Sequence, residues 1–251
     1  MKLDDNGQVK SVSIIMPTYN EASNIADLMR ESVRHVRGEG VTEVEVIVVD
    51  DDSPDLTWKT ASETECPGAR VRVIRRMEDH GLTASLNDGI AAARMDVVVW
   101  LDCDFSHPPE RIPQMLYMVG QGFDVVVNSR YLLGGGEIRA GQGGRLQLFL
   151  SRYLNRILRL IFLSNFYDYT SGFVAARRAV FEDFRLRGDY GEYFVDFIIR
   201  AVRDRNCRVC ELPYVMQPRR SGESKTGLNL FHYMRRGRKY LRAVMRLCLS
   251  Q

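Results

Sequence analysis

Two patterns of apolar positions alternate along the chain. SVSIIMPTY (11–19) is a nearly unbroken apolar run, and the following ASNIADLMRESVRHV returns apolar side chains at Ile25, Leu28, Met29, Val33 and Val36, with Ser32 on the same face. That pattern predicts a strand and then a helix. VEVIVVDDDS reads as a second strand ending in acids, ARVRVIRR as a third, LTASLNDGIAAAR as a helix, and DVVVWLDCD as a fourth strand. PPERIPQMLYMVG reads as a helix begun by prolines, and DVVVNSRY as a fifth strand. The strands are continuous Val/Ile runs, as in sheets covered on both faces. Alternation at this spacing predicts an α/β fold with a mostly parallel, doubly wound sheet, whose ligands sit past the carboxyl ends of the strands.

Pro17, Tyr19 and Glu21 then belong to the end of the first strand, Asp50 to Asp52 to the second, and Asp102 and Asp104 to the fourth. Acids from three strand ends facing one crevice repel one another unless a positive charge neutralises them. A divalent cation suits this, and aspartates one residue apart in an extended chain point the same way. A single Asp at a strand end is ordinarily a solvated turn residue, which suffices for Asp50 or Asp55 alone. PTYNEASN is not the G-x-G-x-x-G of dinucleotide sites, and no G-x-x-x-x-G-K-[ST] occurs.

Two later segments are amphipathic in another way. From 145 to 161, Leu146, Leu150, Leu154, Ile157 and Ile161 share one face, opposed by Arg145, Arg152, Arg156 and Arg159. Near the C-terminus, Leu230, Met234, Leu241, Met245 and Cys248 oppose Arg235, Lys239, Arg242 and Arg246. Basic amphipathic helices lie in bilayer interfaces; packing each stripe on the domain core is the alternative. Just before the first of them, LLGGGEIRAGQGG reads as irregular chain, either a lid over the site or a linker.

The net charge of +3 conceals an imbalance, since nine Lys/Arg stand against Glu223 alone between Arg219 and Arg246. Such a tail suits phosphates, and no nucleic-acid reading module accompanies it. No window approaches the ~18 apolar residues of a membrane span, and MKLDDNGQVK carries acids where a signal peptide is basic and then apolar. The expectation is a cytoplasmic protein, peripheral on the cytosolic face of a membrane. The five cysteines are scattered; Cys207 and Cys210 have half a zinc site's spacing, but a strand there aims them at opposite faces.

PTYNEASNI, VVDDDSPD, LDCDFSHPPE, NSRY, DYTSGFVAARR and RRSGESK, in this order over positions 11 to 226, resemble the dolichyl- or polyprenyl-phosphate mannosyltransferase group of glycosyltransferase family 2. The resemblance implies a GT-A fold, an Mg2+ or Mn2+ cofactor, a nucleotide-sugar donor with GDP-mannose preferred, and a polyprenyl or dolichyl phosphate acceptor. It leaves room for a small membrane-spanning subunit. By motif position, Pro17, Tyr19, Glu21, Val49 and Asp51 hold the nucleotide, Asp102, Cys103 and Asp104 contact sugar and diphosphate, and Arg219 and Lys225 meet phosphate. Asp104 and Asp102 face the metal, with Ser106 where some members have Gln, while Arg130, Arg145 and Ser151 address the acceptor phosphate. SPDLT carries Leu56 where the family has Gly, and Gln147 stands where members have an arginine, with Arg145 two residues earlier. A GT-A catalytic domain over 1–226, including an interface helix at 145–163 and a mobile acceptor loop at 134–144, and a basic amphipathic helix over 227–251 follow.

The chemistry is compatible. Negative charge grows on a departing diphosphate, and a cation fixed by Asp104, with nearby Arg or Lys, stabilises it, while Arg130 offsets the repulsion between the two phosphates. An ionised lipid phosphate needs no general base, and Asp196 is expected on a solvated helix face. A glucosyltransferase or another family 2 enzyme using a UDP-sugar is the alternative, and a non-catalytic sugar-nucleotide binding module the rival from another class. The Q-x-x-R-W signature of processive synthases is missing, Trp58 and Trp100 being the two tryptophans.

Overall fold

The structure, a computed structural model, describes residues 7–138, 143–221 and 230–249, the side chains of 143–147 and 230–236 excepted. The elements run β1 (Ser11–Thr18), α1 (Ile25–Gly38), β2 (Glu43–Asp50), α2 (Thr57–Glu63), β3 (Arg70–Arg75), α3 (Leu82–Ala92), β4 (Val97–Trp100) and α4 (Ile112–Gly120). They continue as β5 (Val125–Ser129), β6 (Gly136–Glu137), α5 (Gly143–Ile161), β7 (Val174–Arg177), α6 (Glu192–Arg203), β8 (Val209–Pro213), β9 (Val215–Met216) and α7 (Leu230–Leu249).

The main sheet has the order β3-β2-β1-β4-β7-β5-β8. All its pairings are parallel except those of β7, which runs antiparallel to both β4 and β5. The expected strands and helices are present; β7, α2 and the short pair β6 and β9 are additions. FVAAR carries no strand signal because Ala175 and Ala176 are poor strand formers, yet both are fully buried between two neighbours.

The Val/Ile runs reflect cores on both faces. Val46 and Val48 join one core with α1 and α4, while Ile47 and Val49 join the other with α3 and α6. On α1 the buried residues are Ile25, Leu28, Met29, Ser32, Val33 and Val36, the face read from periodicity. Each large apolar side chain among them contributes about 1.5–3 kcal/mol. Helix α3 lies so close to the sheet that a Cβ on Gly89 would fall 2.4 Å from Ile15.

Several expectations change. The glycine-rich stretch is not wholly irregular, since Gly136–Glu137 pair with Val215–Met216 and α5 begins at Gly143. Asp196 is not solvated: α6 is buried along its length, and Asp196 bonds Arg200 at 2.8 Å. Cys207 packs in one core and Cys210 in the other, on opposite faces of the sheet.

The stripe of α7 turns outward, while that of α5 is divided: Leu154 packs against the core and Leu150 and Ile161 are exposed. On α5, Leu158 and Asn155 are buried, while Phe149, Leu150, Tyr153, Leu160 and Ile161 are exposed. On α7, Ala243 and Leu247 are buried and Tyr240 and Val244 pack beside them, leaving Leu241, Met245, Cys248 and Leu249 outside. Core packing of α7 thus uses a third face, distinct from both the apolar stripe and Arg242 and Arg246. Among the described residues no helix is long and apolar enough to cross a membrane.

Candidate active site

Because β2, β1 and β4 are parallel neighbours, the residues following them emerge at one sheet edge. The carboxyl end of β5, the residues before the antiparallel β7, and those after β8 emerge there as well. The order reverses at β1, the usual position of a ligand crevice in such sheets.

Two of the three acids at the end of β2, Asp51 and Asp52, are paired with arginines, and Asp50 is held by hydroxyls and a backbone N–H. Asp50 accepts bonds from Thr18 Oγ1 (2.8 Å), Ser53 N (2.8 Å) and Ser53 Oγ (2.6 Å). Asp51 accepts from Arg76 (2.5 Å), Ser85 Oγ (2.8 Å) and Gly81 N (2.7 Å), and Asp52 pairs with Arg75. Asp51 therefore anchors the segment leading into α3. Leu56 takes φ +62°, the left-handed conformation that glycine adopts without strain, so the turn before α2 keeps a glycine-like backbone. Val49 is fully buried in the core, so its side chain does not reach the crevice, whereas Tyr19 is exposed beside it.

The D-x-D turn divides its carboxylates. Asp104 is buried: Ser106 N donates to it at 2.9 Å and Arg219 at 2.8 Å, and Arg219 also reaches Glu21 at 3.0 Å. Burial pushes the Asp104 carboxyl up, but Ser106 and the Arg219 guanidinium outweigh it and hold the group below its usual value, ionised. Asp102 is half-exposed. Cys103 Sγ lies 3.5 Å from the Pro17 carbonyl, tying the turn to β1. Phe105 takes φ +65°, and Arg220 stacks on its ring at 3.8 Å while pairing with Asp27 and Glu31. Arg220 thus has a structural role at the turn.

The chain supplies a partial metal cradle. Among the described residues no three His, Cys, Asp or Glu side chains converge into a cage. The buried Ser106 hydroxyl completes no hydrogen bond of ordinary geometry beside the Asp104 carboxylate. The Asp104 carboxylate with the orphaned Ser106 hydroxyl beside it, and Asp102 on the same turn, could hold an ion whose remaining ligands are substrate phosphates.

At the β5 end, Arg130 is buried and gripped by Asp168. Its Nε and Nη2 donate to the two carboxylate oxygens, each at 2.8 Å, and its backbone N–H adds a third bond at 3.0 Å. Burial disfavours both charges, but each charge more than restores the other: Arg130 is held above and Asp168 below its ordinary value. Nη2 also donates to Thr170 O and Oγ1, leaving Nη1 near Glu137 (3.9 Å) and Met216 (3.9 Å). Ser151 Oγ accepts from Tyr131 OH at 2.8 Å and lies 3.1 Å from Thr170 Oγ1, so it joins the same cluster. The Arg145 side chain and Lys225 lie outside the described residues.

Sequence reasoning assigned nothing to Arg76, Asp168, Thr170, Tyr131 or His107. The clearest available signal was DYTSG, whose acid and hydroxyls lie at the same edge as NSRY. A cavity of 880 Å3 lies elsewhere, between α3 and residues 183–187, sharing only Arg76 with the Asp51 cluster.

Residues 13–185 match the family model described as glycosyl transferase family 2. The chain is 33% identical over 225 residues to a dolichol-phosphate mannosyltransferase of Pyrococcus furiosus, covering 89% of this chain and 62% of that protein. It is 34% identical over 225 residues to a polyprenol monophosphomannose synthase of Mycolicibacterium smegmatis, covering 86% of this chain and 82% of that one. Thus it spans less than two thirds of the Pyrococcus protein's length. In fold it resembles the glucosyl-3-phosphoglycerate synthase of Mycobacterium tuberculosis crystallised with Mn2+, UDP-glucose and phosphoglyceric acid, with TM-score 0.69, 21% identity, and coverage of 95% of this chain and 80% of that one.

Proposed function

The chain belongs to glycosyl transferase family 2, and from that premise we propose that it transfers mannose from GDP-mannose to a polyprenyl or dolichyl phosphate at a membrane surface, with inversion and with Mg2+ or Mn2+ bound. The observation that carries the reading is the pairing of two unlike clusters on one sheet edge. One, at Asp102, Asp104 and Ser106, suits a cation and a diphosphate; the other, at Arg130, Thr170, Ser151 and Tyr131, suits an anionic acceptor.

In this reading Asp104 and Asp102, with Ser106, hold the divalent ion, which supplies Lewis-acid stabilisation of the leaving diphosphate. Pro17, Tyr19, Glu21, Cys103 and the backbone of Val49 line the nucleotide, and Asp51 shapes that wall by holding Arg76 and Gly81. Arg219 pairs with Glu21 and Asp104, and would be released toward the diphosphate if Asp104 held a cation; Lys225 is assigned to the same phosphate by motif position alone. Arg130 presents Nη1, the guanidinium nitrogen that Asp168 does not take, to the acceptor phosphate, with Ser151 in the same cluster and Arg145 assigned there by motif position alone. Positive charge is what two approaching phosphates require. The exposed apolar residues of α5, among them Phe149, Tyr153 and Leu160, and the outward stripe of α7, with Arg152, Arg156, Arg242 and Arg246 on the same helices, suit an anionic bilayer interface where the lipid is reached.

The test is a donor panel, GDP-mannose against UDP-sugars, with extracted lipid phosphate and Mg2+ or Mn2+. Transfer from GDP-mannose is expected; transfer confined to a UDP-sugar overturns the donor, and no metal-dependent transfer overturns the reading. Asp104→Ala is expected to lower transfer by at least about 10²-fold with a folded circular-dichroism spectrum, and normal turnover in it would refute the metal assignment.

A further inference from the structure

His107 stands directly behind the D-x-D turn, and the proposed reaction gives it no role. Its ring is 3% exposed, stacked on Phe173 with centroids 5.1 Å apart and set edge-on to Tyr214. Both ring nitrogens address one residue. Nδ1 accepts a hydrogen bond from the Asp102 N–H at 3.0 Å, and Nε2 stands 4.0 Å from Asp102 Oδ2. A ring that accepts at Nδ1 carries its proton, when neutral, on Nε2, the side facing the carboxylate.

The two carboxylates of the turn are held differently. Asp104 is buried and fixed by Ser106 N and Arg219, and Asp102 is 50% exposed with the buried ring of His107 behind it. On the Asp104 side Arg220 N donates to Asp104 O at 2.9 Å and Gln217 N to Ser106 O at 3.1 Å. On the Asp102 side the buried ring supplies a hydrogen bond to the backbone and a proton facing the side chain.

We propose that His107 is a positioning residue that sets the backbone and carboxylate of Asp102 for the sugar nucleotide and acts on the reaction through Asp102 alone. This rests on the reading of Asp102 as a donor contact. His107→Phe keeps a ring on Phe173 and removes both nitrogens. His107→Asn keeps an acceptor attached to Cγ, where Nδ1 sits. GDP-mannose affinity in the presence of Mn2+, by calorimetry, and kcat and KM for transfer are measured for both variants, for Asp102→Asn, and for Asp102→Asn combined with His107→Phe.

His107→Phe is expected to weaken donor binding or kcat/KM by about 10- to 100-fold without a matching fall in melting temperature, and His107→Asn to recover most of that loss. The double variant should equal Asp102→Asn alone to within about twofold. Losses that multiply in the double variant, or a His107→Phe enzyme equal to wild type, overturn the proposal while leaving Asp102 as a donor contact. An unaffected Asp102→Asn overturns that contact and the proposal with it. Should His107→Phe fail to fold, His107→Gln, which leaves no acceptor at the Nδ1 position, carries the same cycle and the same expectations.

Discussion

Asp168→Asn strips the charge from the partner that grips Arg130 deep inside the β5 edge. Asp168 is fully buried and Arg130 is 9% exposed, so water cannot replace the lost carboxylate. What remains for the guanidinium is Thr170 O and Oγ1 and a Glu137 oxygen 3.9 Å away. Breaking a buried ion pair by removing one partner costs about 3–5 kcal/mol, and the one oxygen that asparagine keeps offsets about 1 kcal/mol. A net loss of about 2–4 kcal/mol lowers Tm by about 5–15 °C in a chain of this length. Differential scanning calorimetry at pH 7 measures it. The sign with pH is defined: Asp168 is held below its ordinary value, so its contribution is present above about pH 4 and fades as pH falls further, closing the gap between variant and wild type. Replacing both partners by apolar residues, Arg130→Met with Asp168→Leu, should recover most of the stability but none of the transfer. A single variant melting within about 2 °C of wild type, or a double variant no more stable than the single, would refute the reasoning.

Three further outcomes are expected. Leu56→Gly relieves a left-handed leucine at roughly 1–2 kcal/mol, partly offset by glycine's greater unfolded-state entropy; because Leu56 is exposed, thermal melting should rise by about 2 °C, and a fall would argue against strain there. Burial pushes the Glu211 carboxyl up to about 7 from an ordinary 4.5, so the folded state holds its proton across that window and stability declines as pH rises through it. Glu211→Gln should flatten that decline by about 1–3 kcal/mol in urea titrations between pH 5 and 8, and an unchanged slope would dismiss the assignment. Replacing Arg235, Lys239, Arg242 and Arg246 with Glu should abolish co-sedimentation with anionic liposomes, each basic residue contributing about 1 kcal/mol; undiminished binding would remove α7 from the interface.

Local periodicity determined a good deal by itself. The buried face of α1, down to Ser32, the runs that became β1 to β5, and the strand ends carrying Asp50 to Asp52, Asp102 and Asp104 were all legible, because side-chain direction repeats every 3.6 residues in a helix and every two in a strand. Strand order was not. The small residues of β7 gave no signal, and only pairing with β4 and β5 makes them a central strand. Partnership among charges was equally hidden: the acids after β2 called for a positive neighbour, and tertiary structure supplied Arg75 and Arg76 from β3 and its exit. Arg130 and Asp168 are 38 positions apart, and Glu21 and Arg219 are 198 apart. Which stripe of α7 packs inward also required the fold, since three faces of one helix competed for one core. A sequence records which side chains share a face of their own element; which opposite charge lies across a crevice depends on contacts between distant segments, and those exist only once the sheet has assembled.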